Sequence, residues 1–418
     1  MITIKKLKCG TTLIMEKTDY VQSAAIGIWV KSGAIYETDQ ISGISHFIEH
    51  MMFKGTENRS AREIANDVDK IGGVFNAFTG KEATCYYIKT LSSNIYKGAG
   101  ILLDMVTNSV FDQTELDKER NVILEEIKMV KDTPDEDVYD TILELVNNHN
   151  PLKMNILGTP ESLSGINREE MVTYYRHRYS RENIVVSVSG NFDEDKMVET
   201  FEEALAGLNQ DTADEPMEIS EYTKQFDVKV KDIEQSHICL AVPGVSMMDD
   251  MYYAFVLMNN IFGGSMSSRL FQKIREEKGL AYSVYSMNAF NSFSGFFNIY
   301  AGVAHDKRAD TISAIKEELH TFAREGATED ELAMAKEQVK SSYIFGQENI
   351  NSRMITLGKN KLLIDKVFTP EEILAGFDSV TNEDILKAAS VIGNIDNYSA
   401  AAVTGEEFDL KGLLEHDH

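Results

Sequence analysis

Two stretches of this chain carry nearly the same residues 210 positions apart. Thr159-Pro160-Glu161-Ser162-Leu163 returns as Thr369-Pro370-Glu371-Glu372-Ile373. Each is followed by a glycine (Gly165, Gly376) and an acidic pair on a helical pattern (Glu169-Glu170, Glu383-Asp384). Thr114 through Glu119 likewise resembles Thr328 through Glu337. Recurrence on this scale restricts the chain to two copies of one structural unit. A length of 418 residues leaves room for two cores. The one good linker, Leu208 to Pro216, is rich in Asp, Asn and Thr and lies at the middle. The domains expected are therefore 1–210 and 217–418.

Within the first copy, Thr11–Met15 and Ala24–Val30 alternate or run apolar as strands do. Ser60-Ala61-Arg62-Glu63 has the pattern of a capped helix start, and Gly72-Gly73 ends that helix. Val74–Thr79 and Ala83–Lys89 read as a hairpin-like pair of strands. Helical patterns fill 92–147 and Glu161–His177, and Asn183–Gly190 reads as a buried strand. In the second copy, Gly263-Gly264 reads as a helix start, followed by an amphipathic helix, a stop at Gly279 and a strand.

The residues that carry chemistry begin at His46-Phe47-Ile48-Glu49-His50. Histidines four apart share one helical face, so both imidazoles can point at one metal ion. Glu49, at the edge of that face, can reach a metal-bound water rather than the metal. The bland alternative is a core helix with two partnered histidines. A catalytic zinc needs a third protein ligand. Downstream, Lys118 to Ile127 is strongly helical and places Glu119 and Glu126 on one face, with Glu125 as competitor. No second His-x-x-Glu-His follows the linker, so only the first copy can hold this metal.

His46-x-x-Glu49-His50 followed by Glu126, 126 − 50 = 76 residues on, resembles the inverted-zinc-motif peptidases of the insulinase, pitrilysin and mitochondrial processing peptidase family. The likeness covers nearly the whole chain, in the short two-domain bacterial form. It implies an α+β fold of two duplicated α/β sandwich domains, each a mostly antiparallel sheet packed by helices, forming one half of a clamshell. It implies Zn2+ held by His46, His50 and Glu126, with Glu49 as general base, and Glu119 as a supporting carboxylate that orients a ligand histidine. Family spacing favours Glu126 over Glu125. Asn76-Ala77 matches a pair that meets substrate on an edge strand, where a peptide backbone adds as an extra strand. Arg275 and Tyr282, seven apart, match a pair that stabilises the oxyanion. On spacing alone they read as a surface arginine and a half-buried strand tyrosine.

The implied activity is zinc-dependent endopeptidase cleavage of peptides or unfolded segments inside a dimer chamber. In the short members, each site takes its zinc ligands from one chain and the Arg/Tyr pair from the other. A homodimer is expected here, because one chain carries both sets. Alternatives are a heterodimer with a related subunit, or a non-catalytic scaffold of the processing-peptidase type.

Composition narrows the rest. A formal net charge of −26 opposes binding to nucleic acid; it favours basic peptides or simply solubility. Three scattered cysteines (Cys9, Cys85, Cys239) lack metal spacing and read as reduced thiols. No apolar run reaches the length of a membrane span, and the N-terminus has no apolar core, so a cytoplasmic location with no membrane partner is expected.

Overall fold

The computed structural model describes residues 2–208 and 219–415. The expected linker lies outside these residues except for Leu208, as do His416 and His418. The chain runs β1 (Ile2–Lys6), β2 (Thr12–Lys17), β3 (Ser23–Val30), α1 (Ile44–Met52), α2 (Ala61–Lys70), β4 (Val74–Thr79) and β5 (Thr84–Leu91). It continues α3 (Ile95–Asn108), α4 (Gln113–Asp132), α5 (Pro134–Val146), α6 (Pro160–Gly165), α7 (Arg168–Arg178), β6 (Ile184–Gly190) and α8 (Glu194–Leu205). From Phe226 the same order returns. It comprises β7 (Phe226–Val230), β8 (Gln235–Pro243), α9 (Tyr252–Phe262), a π-helix (Phe271–Glu277), β9 (Ala281–Phe290) and β10 (Gly295–Ala304). It closes with α10 (Arg308–Glu325), α11 (Glu329–Gln347), α12 (Ile350–Ile364), α13 (Pro370–Ser379), α14 (Asn382–Ile392), β11 (Ser399–Thr404) and α15 (Leu410–Glu415). The two Thr-Pro repeats fall on equivalent helices, α6 and α13, and each threonine caps its helix through a capping box.

Contacts divide the chain into two compact units. The first comprises Met1–Lys128, Met154–Met217 and Phe345–Val367; the second comprises Met129–Lys153, Glu218–Ile344 and Phe368–His418. The first unit's sheet has the order β1-β2-β6-β3-β5-β4 and the second's β7-β11-β8-β10-β9. Each contains one parallel pair at the equivalent place, β2 with β6 and β7 with β11. All other pairings are antiparallel. The expected α+β duplication of mostly antiparallel sheets is what the chain forms.

In the first unit, one sheet face packs on α1, α3 and α8 around Phe47, Leu102 and Phe201. The opposite face (Ile14, Trp29, Cys85, Val185) is covered by Leu357 of α12, and Ala25 by Ile350 and Met354. β3 and β6 are therefore buried on both sides, which explains their near-continuous apolar sequence. In the second unit, α9, α10 and α14 cover one face. Val138, Ile142 and Val146 of α5 cover the other, against Cys239, Ala241 and Val403. Each sheet thus takes its back helix from the other half of the sequence. The boundary between 210 and 217 separates the strands of the two sheets but not these two helices.

Several local expectations are corrected. The helical region 92–147 is three helices, interrupted at 109–112 and at Thr133, ahead of Pro134. The run 161–177 breaks because the Asn167 side chain accepts from Glu170 N–H and caps a new helix, α7. Gly263-Gly264 ends α9, since both glycine N–H groups donate to Asn259 O. The helix that follows takes the π form over Phe271–Glu277.

Gly358 lets α12 approach the sheet. A Cβ there would lie 2.0 Å from Trp29 Nε1 and 2.7 Å from Ser187 Oγ, atoms hydrogen-bonded to each other at 3.1 Å. Alanine in an open helix position gains up to about 1 kcal/mol over glycine, so only sterics can reverse the sign. We expect Gly358→Ala to destabilise the protein by about 1–3 kcal/mol in urea unfolding, as overpacked cores do.

Candidate metal centre

Helix α1, which carries His46, Glu49 and His50, is held at its start by the buried Glu37 side chain. Glu37 Oε2 accepts the N–H of Gly43 at 2.6 Å and Oε1 that of Ser45 at 2.9 Å. Burial pushes the Glu37 carboxyl up to about 7, against the pull of those two bonds. Gly43 enters the helix at φ 88°, and a Cβ there would meet Leu157 O at 2.6 Å. Phe47, Ile48, Met51 and Met52 are buried beneath α1, which leaves His46, Glu49 and His50 on its other face.

Side chains of α4 reach that face. Leu116, Glu119, Ile123 and Ile127 are its buried positions, and Glu126 lies two turns beyond Glu119. Glu126 Oε2 is 3.9 Å from His46 Nε2 and 3.7 Å from His50 Nε2. Among the described residues, His46, His50 and Glu126 form the one group whose ligand atoms all lie within 4.8 Å of one another. Glu125 points elsewhere, its side chain 72% exposed and paired with Lys128 at 2.6 Å.

Glu119 Oε2 lies 3.1 Å from His50 Nδ1 and Oε1 2.5 Å from Lys54 Nζ. Glu119 thus holds the Nδ1 edge of His50, and Nε2 is the nitrogen turned toward Glu126. Burial, followed by the proximity of His50, pushes His46 down to about 3, so its imidazole is neutral at ordinary pH. A divalent metal requires this of a histidine ligand. Two imidazole nitrogens and one carboxyl group converging within 4.8 Å of one another are a donor set that fits zinc.

Glu49 stands apart from the three. Its Oε2 accepts from Thr79 Oγ1 at 2.5 Å. Burial raises its carboxyl above the usual range, with Glu126 adding to the rise while Thr79 and His50 oppose it. β4, which carries Thr79, lies at the edge of its sheet. Asn76 is exposed there, its Oδ1 accepting from the N–H of half-buried Ala77 at 2.9 Å.

Arg275 and Tyr282 come together in the second unit. The Arg275 Cζ sits 4.7 Å from the Phe271 ring and 5.7 Å from the Tyr282 ring, and Tyr282 is 77% exposed. In that unit, α9 stands where α1 stands in the first, and it contains no histidine or carboxylate. Sequence reasoning passed over Lys54 and Thr79. Lys54 had a local signal, a cation just past the C-terminal end of the helix that carries His50. Thr79 lies 30 residues from its partner and had none.

A family model described as Insulinase (Peptidase family M16) matches residues 12–160, and one described as Peptidase M16 inactive domain matches 165–339. An uncharacterized zinc protease of Bacillus subtilis, YmxG, is 40% identical over 91% of this chain and 94% of that protein. Another from Rickettsia felis is 38% identical over 98% of each. Two solved structures share the fold: a peptidase M16 inactive domain protein from Pseudomonas fluorescens and a protease from Helicobacter pylori. Their TM-scores are 0.91 and 0.89, at 18% and 20% identity. The first comparison covers 97% of this chain and 98% of that one, the second 97% and 99%. Among the described residues, no helix is long and apolar enough to cross a membrane.

Proposed function

The chain belongs to peptidase family M16, and from that premise we propose that it is a zinc metalloendopeptidase working as a homodimer on peptides or unfolded segments. The observation that carries this reading is the convergence of His46 Nε2, His50 Nε2 and the Glu126 carboxylate, with Glu49 held beside them by a separate partner. His46, His50 and Glu126 would hold the ion. Zinc, when bound, polarises a carbonyl and brings the pKa of water toward about 7.

The chain's own groups do the rest. The outer edge of β4, beside Asn76 and Ala77, accepts an extended substrate backbone through main-chain hydrogen bonds. Glu49 removes a proton from the attacking water and passes it to the leaving amine. Its raised pKa suits that cycle, because a base poised nearer neutrality both accepts and returns a proton. Glu119, braced by Lys54, keeps His50 in one tautomer. Arg275 and Tyr282 of a second copy donate hydrogen bonds to the oxyanion, worth about 2.7–4 kcal/mol per donor.

Mixing inactive variants tests the composite site. Glu49→Gln and Arg275→Ala chains are each expected to be inactive alone. Dissociated and reassociated together, they form mixed dimers in which one of the two sites is intact, recovering about a quarter of wild-type activity. No recovery, or full activity in a species of monomer mass, would contradict a site shared between copies.

A further inference from the structure

The general base assigned above rests on a line of hydroxyl groups that the reaction scheme does not use. Thr79 at the end of β4 pairs across the hairpin with Thr84 at the start of β5. Their Oγ1 atoms are 3.2 Å apart. On one side, Thr79 Oγ1 lies 2.5 Å from Glu49 Oε2. On the other, Thr84 Oγ1 donates to the backbone carbonyl of Ser32 at 2.9 Å. Thr84 is 0% exposed, so no solvent can take its place.

We propose that Thr79 and Thr84 form a positioning pair that fixes the Glu49 carboxyl and gives it a hydrogen-bond partner both before and after it takes the substrate water's proton. This inference rests on the peptidase reading of the same site. It follows from counting hydrogens. Each threonine hydroxyl has one. The hydrogen of Thr84 is committed to the Ser32 carbonyl, an acceptor that can offer nothing in return. The single hydrogen of Thr79 therefore faces two acceptors, Glu49 Oε2 and Thr84 Oγ1. While Glu49 is a carboxylate, the charged acceptor takes it, and that contact is the shorter of the two. The Thr79–Thr84 contact is the longer of the two, at 3.2 Å.

Once Glu49 has accepted a proton it becomes a donor. Its O–H points at Thr79 Oγ1, and the Thr79 hydrogen turns to Thr84 Oγ1. Glu49, Thr79 and Thr84 then run as three donors in line to the Ser32 carbonyl, with one hydrogen in each contact. A single hydroxyl rotation reorganises the line, with no movement of heavy atoms. A preorganised environment that serves both ends of a proton transfer is what general base catalysis requires of a buried carboxyl. The line also ties Glu49 to the strand proposed to receive substrate, so base and backbone-binding edge share one anchor.

Three variants test this by steady-state kinetics on the intact zinc-loaded protein. Thr79→Val should lower kcat roughly 10–100-fold, the penalty of a misplaced catalytic group. Its KM and zinc content should stay at wild-type values. Thr79→Ser, which keeps the hydroxyl, should return kcat to within about twofold of wild type. Thr84→Val leaves the Thr79–Glu49 bond but removes the acceptor needed by the acid form, and should lower kcat about three- to tenfold, one net hydrogen bond. A purely structural role for the hairpin would raise KM along with the fall in kcat, without rescue by serine. That pattern, or wild-type kcat in Thr79→Val, overturns the proposal. Absence of peptide cleavage by the wild-type chain would refute the peptidase reading instead. The line of hydroxyls is then judged by thermal unfolding of Glu49→Ala, Thr79→Val and the double variant. Non-additive shifts in Tm support the bonded pair and additive shifts overturn it.

Discussion

Glu49→Gln binds zinc as the wild type does and cleaves peptides about 10²–10⁴-fold more slowly. The magnitude is what a positioned general base contributes. The separation of the two effects follows from geometry. The group that could hold a metal is His46, His50 and Glu126, and Glu49 is not part of it. Glu49 is anchored by Thr79 on β4, a partner that a glutamine carbonyl can still accept from. Glutamine therefore preserves shape, packing and the anchor while removing the one capacity the reaction needs. Zinc content and turnover on an unstructured peptide, measured on one preparation, decide the matter. Turnover near the wild-type rate would remove Glu49 from the mechanism; loss of zinc would make it a ligand.

The second large effect concerns folding. Residues 1–208 produced alone fail to unfold cooperatively, and fusing 345–367 to their C-terminus through a flexible linker restores a cooperative transition. In the first unit, the back face of the sheet carries Ile14, Trp29, Cys85 and Val185, all covered by α12 and its neighbours. Fully exposing a large apolar side chain costs about 1.5–3 kcal/mol. Several at once rival the whole stability of a domain, about 5–15 kcal/mol. β3 and β6, apolar on both faces, would then present a surface prone to association. Guanidinium unfolding followed by tryptophan fluorescence reports on this face directly, because the chain's single tryptophan is Trp29. A cooperative, wild-type-like transition in the 1–208 fragment would show that α12 is dispensable.

The two predictions draw on parts of the molecule that were unequally visible in the sequence. The histidine pair and the Glu119/Glu126 spacing were readable because helical periodicity converts positions into faces without further information. The shared face of α4 then explains why Glu126, and not Glu125, turns toward the histidines. The strands buried on both sides, β3 and β6, declared themselves by near-continuous apolar runs, and the duplication by its Thr-Pro helix starts. What stayed hidden is of another kind. An amphipathic helix shows that it will cover something but not which sheet, so the exchange of α5 and α12 left no mark on the sequence. The π-helix carrying Arg275 differs from an α-helix only in hydrogen-bond register, which side-chain pattern does not report. Gly263-Gly264 suits a helix start or a helix end, and only the acceptance of both N–H groups by Asn259 O tells which. Thr79 was invisible as a partner of Glu49 because nothing local joins positions 30 apart.

The peptidase reading depends on one ion that His46, His50 and Glu126 would hold. Metal analysis of the dialysed chain and four alanine variants tests this most directly. One zinc per wild-type chain is expected, with roughly a tenth of that or less in His46→Ala, His50→Ala and Glu126→Ala, and an unchanged content in Glu125→Ala. Zinc retained by Glu126→Ala, or lost from Glu125→Ala, would contradict it.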